Sequence, residues 1–269
     1  MISEIIKESK KIVIKLGSNT LANEDGTLNK DFFQKFCEQV QGLMTQGKQI
    51  VIVSSGATIS GVATIGKWAR KKDIHYKQAL CAIGQVELMD AYRRAFGKYG
   101  INIGQMLLTR DDFTDPNRTL NIRNTLFTLI DEGVVPIINE NDTVSVEEIK
   151  IGDNDTLAAL ATNLWNADLL ILFSDIDGVY DKNPKKFKDA SLIEKVTDIN
   201  ELLKNIEIGN TNSFGTGGIA TKIEAARKVN EYNIPMILAN GKKEDILLKL
   251  LEGTEKGTLF LPERRMKKW

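Results

Sequence analysis

Short apolar runs alternate along the chain with longer stretches in which apolar residues recur every three or four positions. The runs Ile12–Leu16, Ile50–Val53, Gly104–Leu108, Val134–Ile138, Leu169–Phe173, Met236–Ala239 and Thr258–Leu261 are rich in Val, Ile and Leu, with little polar alternation. Strands of a parallel sheet read this way because both of their faces are covered. The stretches Asp31–Thr45, Lys77–Phe96, Asn117–Asp131, Asp155–Asn163, Ile219–Glu231 and Glu244–Leu251 predict helices. Beyond Asp155, for example, Leu157, Leu160, Ala161 and Leu164 keep the helical period. Strand–helix alternation of this kind predicts an α/β fold, a three-layer αβα sandwich with a mostly parallel central sheet. No repeat, low-complexity tract or Pro/Ser-rich linker interrupts it, and a division near residue 165 carries no compositional mark. The expectation is a single domain over residues 1–269.

Ligands of open α/β sheets bind at the carboxyl ends of the strands, so the residues after each run matter most. Ile12–Leu16 leads into Gly17-Ser18 with Lys15 just inside the strand, and Ile50–Val53 leads into Ser54-Ser55-Gly56-Ala57. Val134–Ile138 leads into Asn139-Glu140-Asn141-Asp142, and Leu169–Phe173 into Ser174-Asp175-Ile176-Asp177-Gly178. One such ending is chance; four together predict a site.

Composition narrows what that site does. Of 269 residues, 36 are Lys or Arg and 36 are Asp or Glu, so the formal net charge is zero. That balance argues against a protein built to grip nucleic acid or an anionic membrane. The basic end Arg264-Arg265-Met266-Lys267-Lys268 reads as a solvated tail, and Lys67–Lys77 as a solvated loop. A single histidine, His75, excludes a multi-histidine metal site. Cys37 and Cys81 have no CxxC spacing and suggest a reducing compartment. The N-terminus lacks signal-peptide features, and the apolar runs fall far short of the roughly 20 residues that span a bilayer. A cytoplasmic protein is expected.

Several motifs carry chemistry. Lys15 beside Gly17 places an ammonium at a tight turn whose backbone N–H groups suit phosphate, although a surface lysine at a strand end has the same local sequence. Gly215-Thr216-Gly217-Gly218 precedes a helix with Lys222 in its first turn, again a phosphate arrangement or else a flexible loop. It is not a Walker A loop, since Thr221 precedes Lys222. Its match to G-x-G-x-x-A lacks the buried strand that a dinucleotide site requires. Gly152-Asp153-Asn154-Asp155 and Asn139-Glu140-Asn141-Asp142 are two polar clusters that suit a zwitterion or order basic groups, or else serve as caps and turns. Asp175-Ile176-Asp177-Gly178 opens like a calcium loop, but Tyr180 and Lys186 stand where that loop needs Gly and Glu, so calcium is rejected.

Taken together, the stretches VIKLGSNTL (13–21), IVIVSSGA (50–57), GQMLLTRDDF (104–113), VPIINENDTV (135–144), EIKIGDNDTLAALAT (148–162), LLILFSDIDGVY (169–180), GTGGIATKIEAA (215–226) and GTLF (257–260) resemble the amino acid kinase family over nearly the whole chain. Ser18 and Ser174 stand where many members have Thr, and Ile219 where Met is common. Many bacterial members continue into a small RNA-binding-like module; the resemblance ends near Phe260, and that module is expected to be absent.

Within the family, NEND together with GDND resembles the members that phosphorylate the side-chain carboxylate of L-glutamate with ATP and Mg²⁺, the first step of proline synthesis. Relatives acting on acetylglutamate, aspartate, carbamate or uridylate, or a non-catalytic sensor of the same fold, are the alternatives. The resemblance implies that Lys15 and Lys222 neutralise the transferring phosphoryl group, that Asp155 orders the two lysines, and that amides at Gly17, Gly56 and Gly217 assist. It implies that Ser55, Gly56, Asp142 and Asn154 bind glutamate. Lys15, Gly17, Ser174, Asp175 and the loop Thr216, Gly217, Gly218, Ile219, Ala220, Thr221 and Lys222 bind ATP. No metal ligand is implied. The part up to about residue 165 would hold glutamate and residues 166–269 ATP. Feedback inhibition by proline and a homo-oligomer, dimer or tetramer, are expected, with neither nucleic acid nor membrane as partner.

Overall fold

A computed structural model describes residues 1–67, 73–145, 154–184, 186–206 and 218–263. In chain order, helix α1 (Ile2–Glu8) leads into β1 (Lys11–Leu16) and the single turn α2 (Ser18–Leu21). Then follow α3 (Lys30–Thr45), β2 (Gln49–Ser54), α4 (Ala57–Ile65), α5 (Ile74–Gly97), β3 (Ile103–Leu108), a 3-10 turn at Arg110–Phe113, α6 (Pro116–Asp131) and β4 (Val135–Glu140). The remainder is α7 (Asn154–Trp165), β5 (Leu169–Ser174), β6 (Lys195–Val196), α8 (Ile199–Asn205), α9 (Ile219–Asn230), β7 (Met236–Asn240), α10 (Ile246–Glu252) and β8 (Thr258–Phe260).

The strands form one sheet in the order β3-β4-β2-β1-β5-β7-β8-β6. Pairing is parallel except between β7 and β8, which run antiparallel. The expected strands are all present. The antiparallel β8 was not separable from the parallel ones by its apolar run, because a strand covered on both faces carries the same pattern in either direction. β3 also departs from the fully buried pattern: it is an edge strand, and Gln105 and Leu107 on it are exposed.

Each strand alternates its side chains between two cores. Ile12, Ile14 and Leu16 face a layer built from α1, α3, α5 and α10, with Phe33, Phe36, Tyr92, Phe96 and Leu247. Val13, Val51, Val53, Leu170 and Leu172 face the other layer, built from α6, α7, α8 and α9. This is the expected three-layer sandwich. The parity also fixes where Lys15 points. It follows Val13 by two, so it faces the α7–α9 side. Between α4 and α5 the backbones nearly touch: a Cβ added to Gly61 would lie 1.9 Å from Leu80 O, and one added to Gly84 would lie 1.8 Å from Ala57 O. Those two glycines allow the helix pair its close approach. Among the described residues no helix is long and apolar enough to cross a membrane.

Candidate active site

The chain runs from β1 to β2 on one flank, and later places β5 on the other flank of β1. Such a reversal opens a crevice at the carboxyl ends of the strands involved. Leu16 is in register with Ser54 of β2 and Phe173 of β5, so the turns at Gly17, Ser55-Gly56 and Ser174-Asp175 emerge side by side.

At this crevice Asp155, in the first turn of α7 and fully buried, receives two ammonium groups. Lys15 Nζ lies 2.5 Å from its Oδ1 and Lys222 Nζ 3.0 Å from its Oδ2. Both lysine side chains are only 6% exposed. Thr221 Oγ1 lies 3.2 Å from the same Oδ2 and 2.8 Å from Gly218 O. Three distant segments thus converge: the end of β1, the start of α7 and the start of α9. A carboxylate in a helix's first turn meets the favourable end of the helix dipole. A surface-lysine reading of Lys15 and Lys222 is overturned by their burial, since lysines are kept inside only when paired.

The helix starts around the cluster are built to leave N–H groups available. α2, α4 and α9 begin on Gly17, Gly56 and Gly218, and none of the three has a side-chain cap. α3, α5, α6 and α8 are capped by the side chains of Asn29, Asp73, Asp115 and Asp198, while α1 and α10 also start without a side-chain cap. Uncapped first-turn amides of a helix as long as α9 suit an anion. Gly56 is required by backbone shape as well, with φ at +101°.

Beside the lysine cluster lies a second, neutral network. Asn154 Nδ2 lies 2.8 Å from Ser54 O, 3.2 Å from Ser55 Oγ and 2.8 Å from Asn139 Oδ1. Asn139 Nδ2 donates to Gln85 Oε1 at 2.8 Å, and Ser54 Oγ lies 2.9 Å from the Tyr92 hydroxyl. Asp142 stands at the far end of this segment, next to Cys81. Burial first, and then the Asp142 charge, push the Cys81 thiol up to about 12. A cavity of about 680 Å³ opens here, lined among others by Cys81, Gln85, Glu140, Asn141 and Asp142.

The structure therefore brings together Lys15, Asp155, Lys222 and Thr221, and separately Ser55, Asn154 and Asn139, while Asp142, three residues beyond Asn139, stands against Cys81 on the cavity. Ser174 is buried at the end of β5 with its Oγ 3.3 Å from Asp175 Oδ1, and exposed Asp175 also accepts from Asn19 Nδ2 at 3.2 Å. Gly218, Ile219 and Ala220 form the start of α9. Thr216 and Gly217, with Gly152 and Asp153, lie outside the described residues. Asp177, two residues beyond Asp175, is a structural tie. It accepts from Asn240 Nδ2 at 3.0 Å, pairs with Lys243 at 2.9 Å, and Lys243 pairs with Glu255 at 3.1 Å. His75 is exposed and Cys37 buried, with no part in the crevice. Asn139 and Gln85 were missed as site residues. Asn139 was visible in the NEND cluster, whereas Gln85 sits inside a helical stretch with nothing to mark it.

Comparison with known proteins adds the following. Residues 10–240 match the amino acid kinase family. The chain is 74% identical over 260 residues to a protein of Alkaliphilus metalliredigens (strain QYMF) named glutamate 5-kinase, covering 97% of this chain and 98% of that one. It is 66% identical to the protein of the same name from Alkaliphilus oremlandii (strain OhILAs), covering 98% and 100%. A further protein of that name, from Geobacter metallireducens, is 46% identical over 273 residues, 73% of its own length. Among solved structures, UMP kinase from Ureaplasma parvum superposes with a TM-score of 0.67 at 18% identity, covering 94% of this chain and 99% of that one. At that identity the likeness bears on the fold and not on the acceptor.

Proposed function

The chain belongs to the amino acid kinase family, and from that premise we propose that it transfers the γ-phosphoryl group of ATP to the side-chain carboxylate of L-glutamate, giving an acyl phosphate. Full-length relatives at 74% and 66% identity bear the name of that activity. The observation that carries the chemical reading is Asp155, fully buried and shared by Lys15 and Lys222.

The acceptor needs no general base. A glutamate side chain has a pKa near ~4.3 and is ionised at neutral pH. Catalysis then consists of alignment and stabilisation of the charge spread over the phosphoryl oxygens. Lys15 and Lys222 supply that charge from two sides, held in place by one carboxylate. Thr221 Oγ1 adds a polar contact to the second oxygen of Asp155. The amides at Gly17, Gly56 and the start of α9 add neutral donors.

Glutamate is assigned to Ser55, Gly56, Asn154 and Asp142, with the Asp142 carboxylate toward the substrate ammonium. The nucleotide is assigned to Lys15, Gly17, Ser174, Asp175 and the segment from Thr216 to Lys222. The part up to about residue 165 then holds the acceptor and the remainder the nucleotide. Mg²⁺ would enter with ATP as part of the MgATP substrate and would supply positive charge against the phosphates. A cytoplasmic homo-oligomer inhibited by proline completes the reading, on the strength of the family resemblance.

The test is an acceptor panel with MgATP and hydroxylamine, which converts acyl phosphates to hydroxamates. Glutamate must give hydroxamate faster than aspartate or acetylglutamate; a reversed order assigns another acceptor, and no hydroxamate with any acid favours a binding protein.

A further inference from the structure

The floor of the cavity beside Asp142 is one face of α5. Cys81 and Gln85 are four residues apart on that helix, hence on one side of it, and both line the cavity. Half of the Gln85 amide is accounted for, since its Oε1 accepts from Asn139 Nδ2 at 2.8 Å. The other half is not. Gln85 Nε2 is buried, and among the described residues it has no hydrogen-bond partner. The residue as a whole is only 8% exposed. A primary amide nitrogen carries two N–H donors, and burying them unpaired is costly. Folded proteins seldom keep such a group without a reason.

We propose that Gln85 is a specificity-determining residue whose Nε2 donates to the α-carboxylate of the acceptor amino acid. The proposal rests on the preceding reading, in which the substrate ammonium faces Asp142. An α-amino acid presents an ammonium and a carboxylate on one carbon. A pocket that reads both needs an acceptor for the first and a donor for the second, side by side. Asp142 and Gln85 line one cavity and supply that pair. Gln85 is also tied through Asn139 to Asn154, whose amide reaches Ser55. The amide oxygen is thus held by Asn139, while its buried nitrogen has no hydrogen-bond partner among the described residues. Selection of an α-carboxylate separates an amino acid from a simple dicarboxylate or an ω-amino acid that would present the same reacting group.

The Gln85→Glu variant tests this while leaving an oxygen for Asn139 Nδ2. Only the donor is lost, replaced by a carboxylate oxygen that repels the substrate's own. The glutamate KM is expected to rise at least about tenfold, with the ATP KM within about twofold of wild type. Isoglutamine, whose α-carboxamide donates N–H, is expected to react with the variant at least as well as with wild type. A glutamate KM that stays within about twofold of wild type overturns the assignment. So does a loss that affects glutamate, isoglutamine and ATP constants together. Absence of hydroxamate from glutamate with the wild-type enzyme would instead remove the acceptor reading itself, and this inference with it.

Discussion

Asp155 joins the two lysines of the crevice. It is fully buried, and both of its oxygens are committed to ammonium groups. Removing one partner of a buried charge cluster typically costs about 3–5 kcal/mol, because the remaining charges lose their compensation. Asp155→Ala is therefore expected to lower thermal stability as well as abolish turnover, and differential scanning calorimetry beside the kinetic assay checks both. Asp142 differs. It is half-buried at the cavity rim, so Asp142→Ala should cost far less stability than Asp155→Ala and act mainly on the substrate. Loss of a charge-assisted hydrogen bond is worth roughly 1.5–3 kcal/mol, so the glutamate KM should rise about tenfold or more while the ATP KM stays put. An unchanged glutamate KM would take Asp142 out of the acceptor site. Lys15, Asp155 and Lys222 were legible as residue types at strand and helix ends, and strand parity explains why Lys15 reaches Asp155. Gln85 was not legible, because the role proposed for it starts from a buried amide nitrogen without a hydrogen-bond partner among the described residues, which only packing shows.

Among the elements, the long periodic helices and the apolar strands were readable from the sequence, and the short or weakly patterned ones were not. α4 reads ATISGVATI, with apolar residues nearly all round and no clear polar face, so no period announces it. β6 has two residues, too few for any pattern. The α4–α5 contact depends on glycines that sequence alone cannot rank. Gly84→Ala should be strongly destabilising because its Cβ would meet Ala57 O at 1.8 Å, whereas Gly97→Ala, at the end of the same helix with nothing within 4 Å, should be neutral or stabilising. Comparing the two melting temperatures tests whether the helices are as close as described. The Asp177 tie joins the ends of β5 and β7 and makes a pH-dependent contribution. Burial works against ionisation of Asp177, but hydrogen bonds from Lys243, Asn240 and Tyr180 outweigh it and hold the carboxyl below its ordinary 3.8. A lowered native pKa means stability that is fully present above 3.8 and is lost as pH falls through the native value. Asp177→Asn is expected to melt below wild type at neutral pH, and the gap should narrow in scans taken progressively below pH 3.8. A gap that holds constant into acid would show that the charge of Asp177 contributes nothing.

At the scale of the molecule, the α/β class and the layered architecture followed from alternation of patterns, whereas the strand order did not. Nothing local says that β5 returns to the flank of β1, and this return creates the crevice in which residues 15, 155 and 222 meet. The central claim is that this meeting point is where the phosphoryl group is transferred. Steady-state kinetics of folded Lys222→Ala with glutamate and MgATP tests it most directly. If Lys222 acts mainly on charge that develops in flight, kcat should fall about 10²–10³-fold with the ATP KM near normal. Lys222→Arg should not restore the rate fully, since a planar guanidinium does not reproduce a compact ammonium. A kcat within a few-fold of wild type for Lys222→Ala would contradict the account and leave the buried cluster a purely structural one.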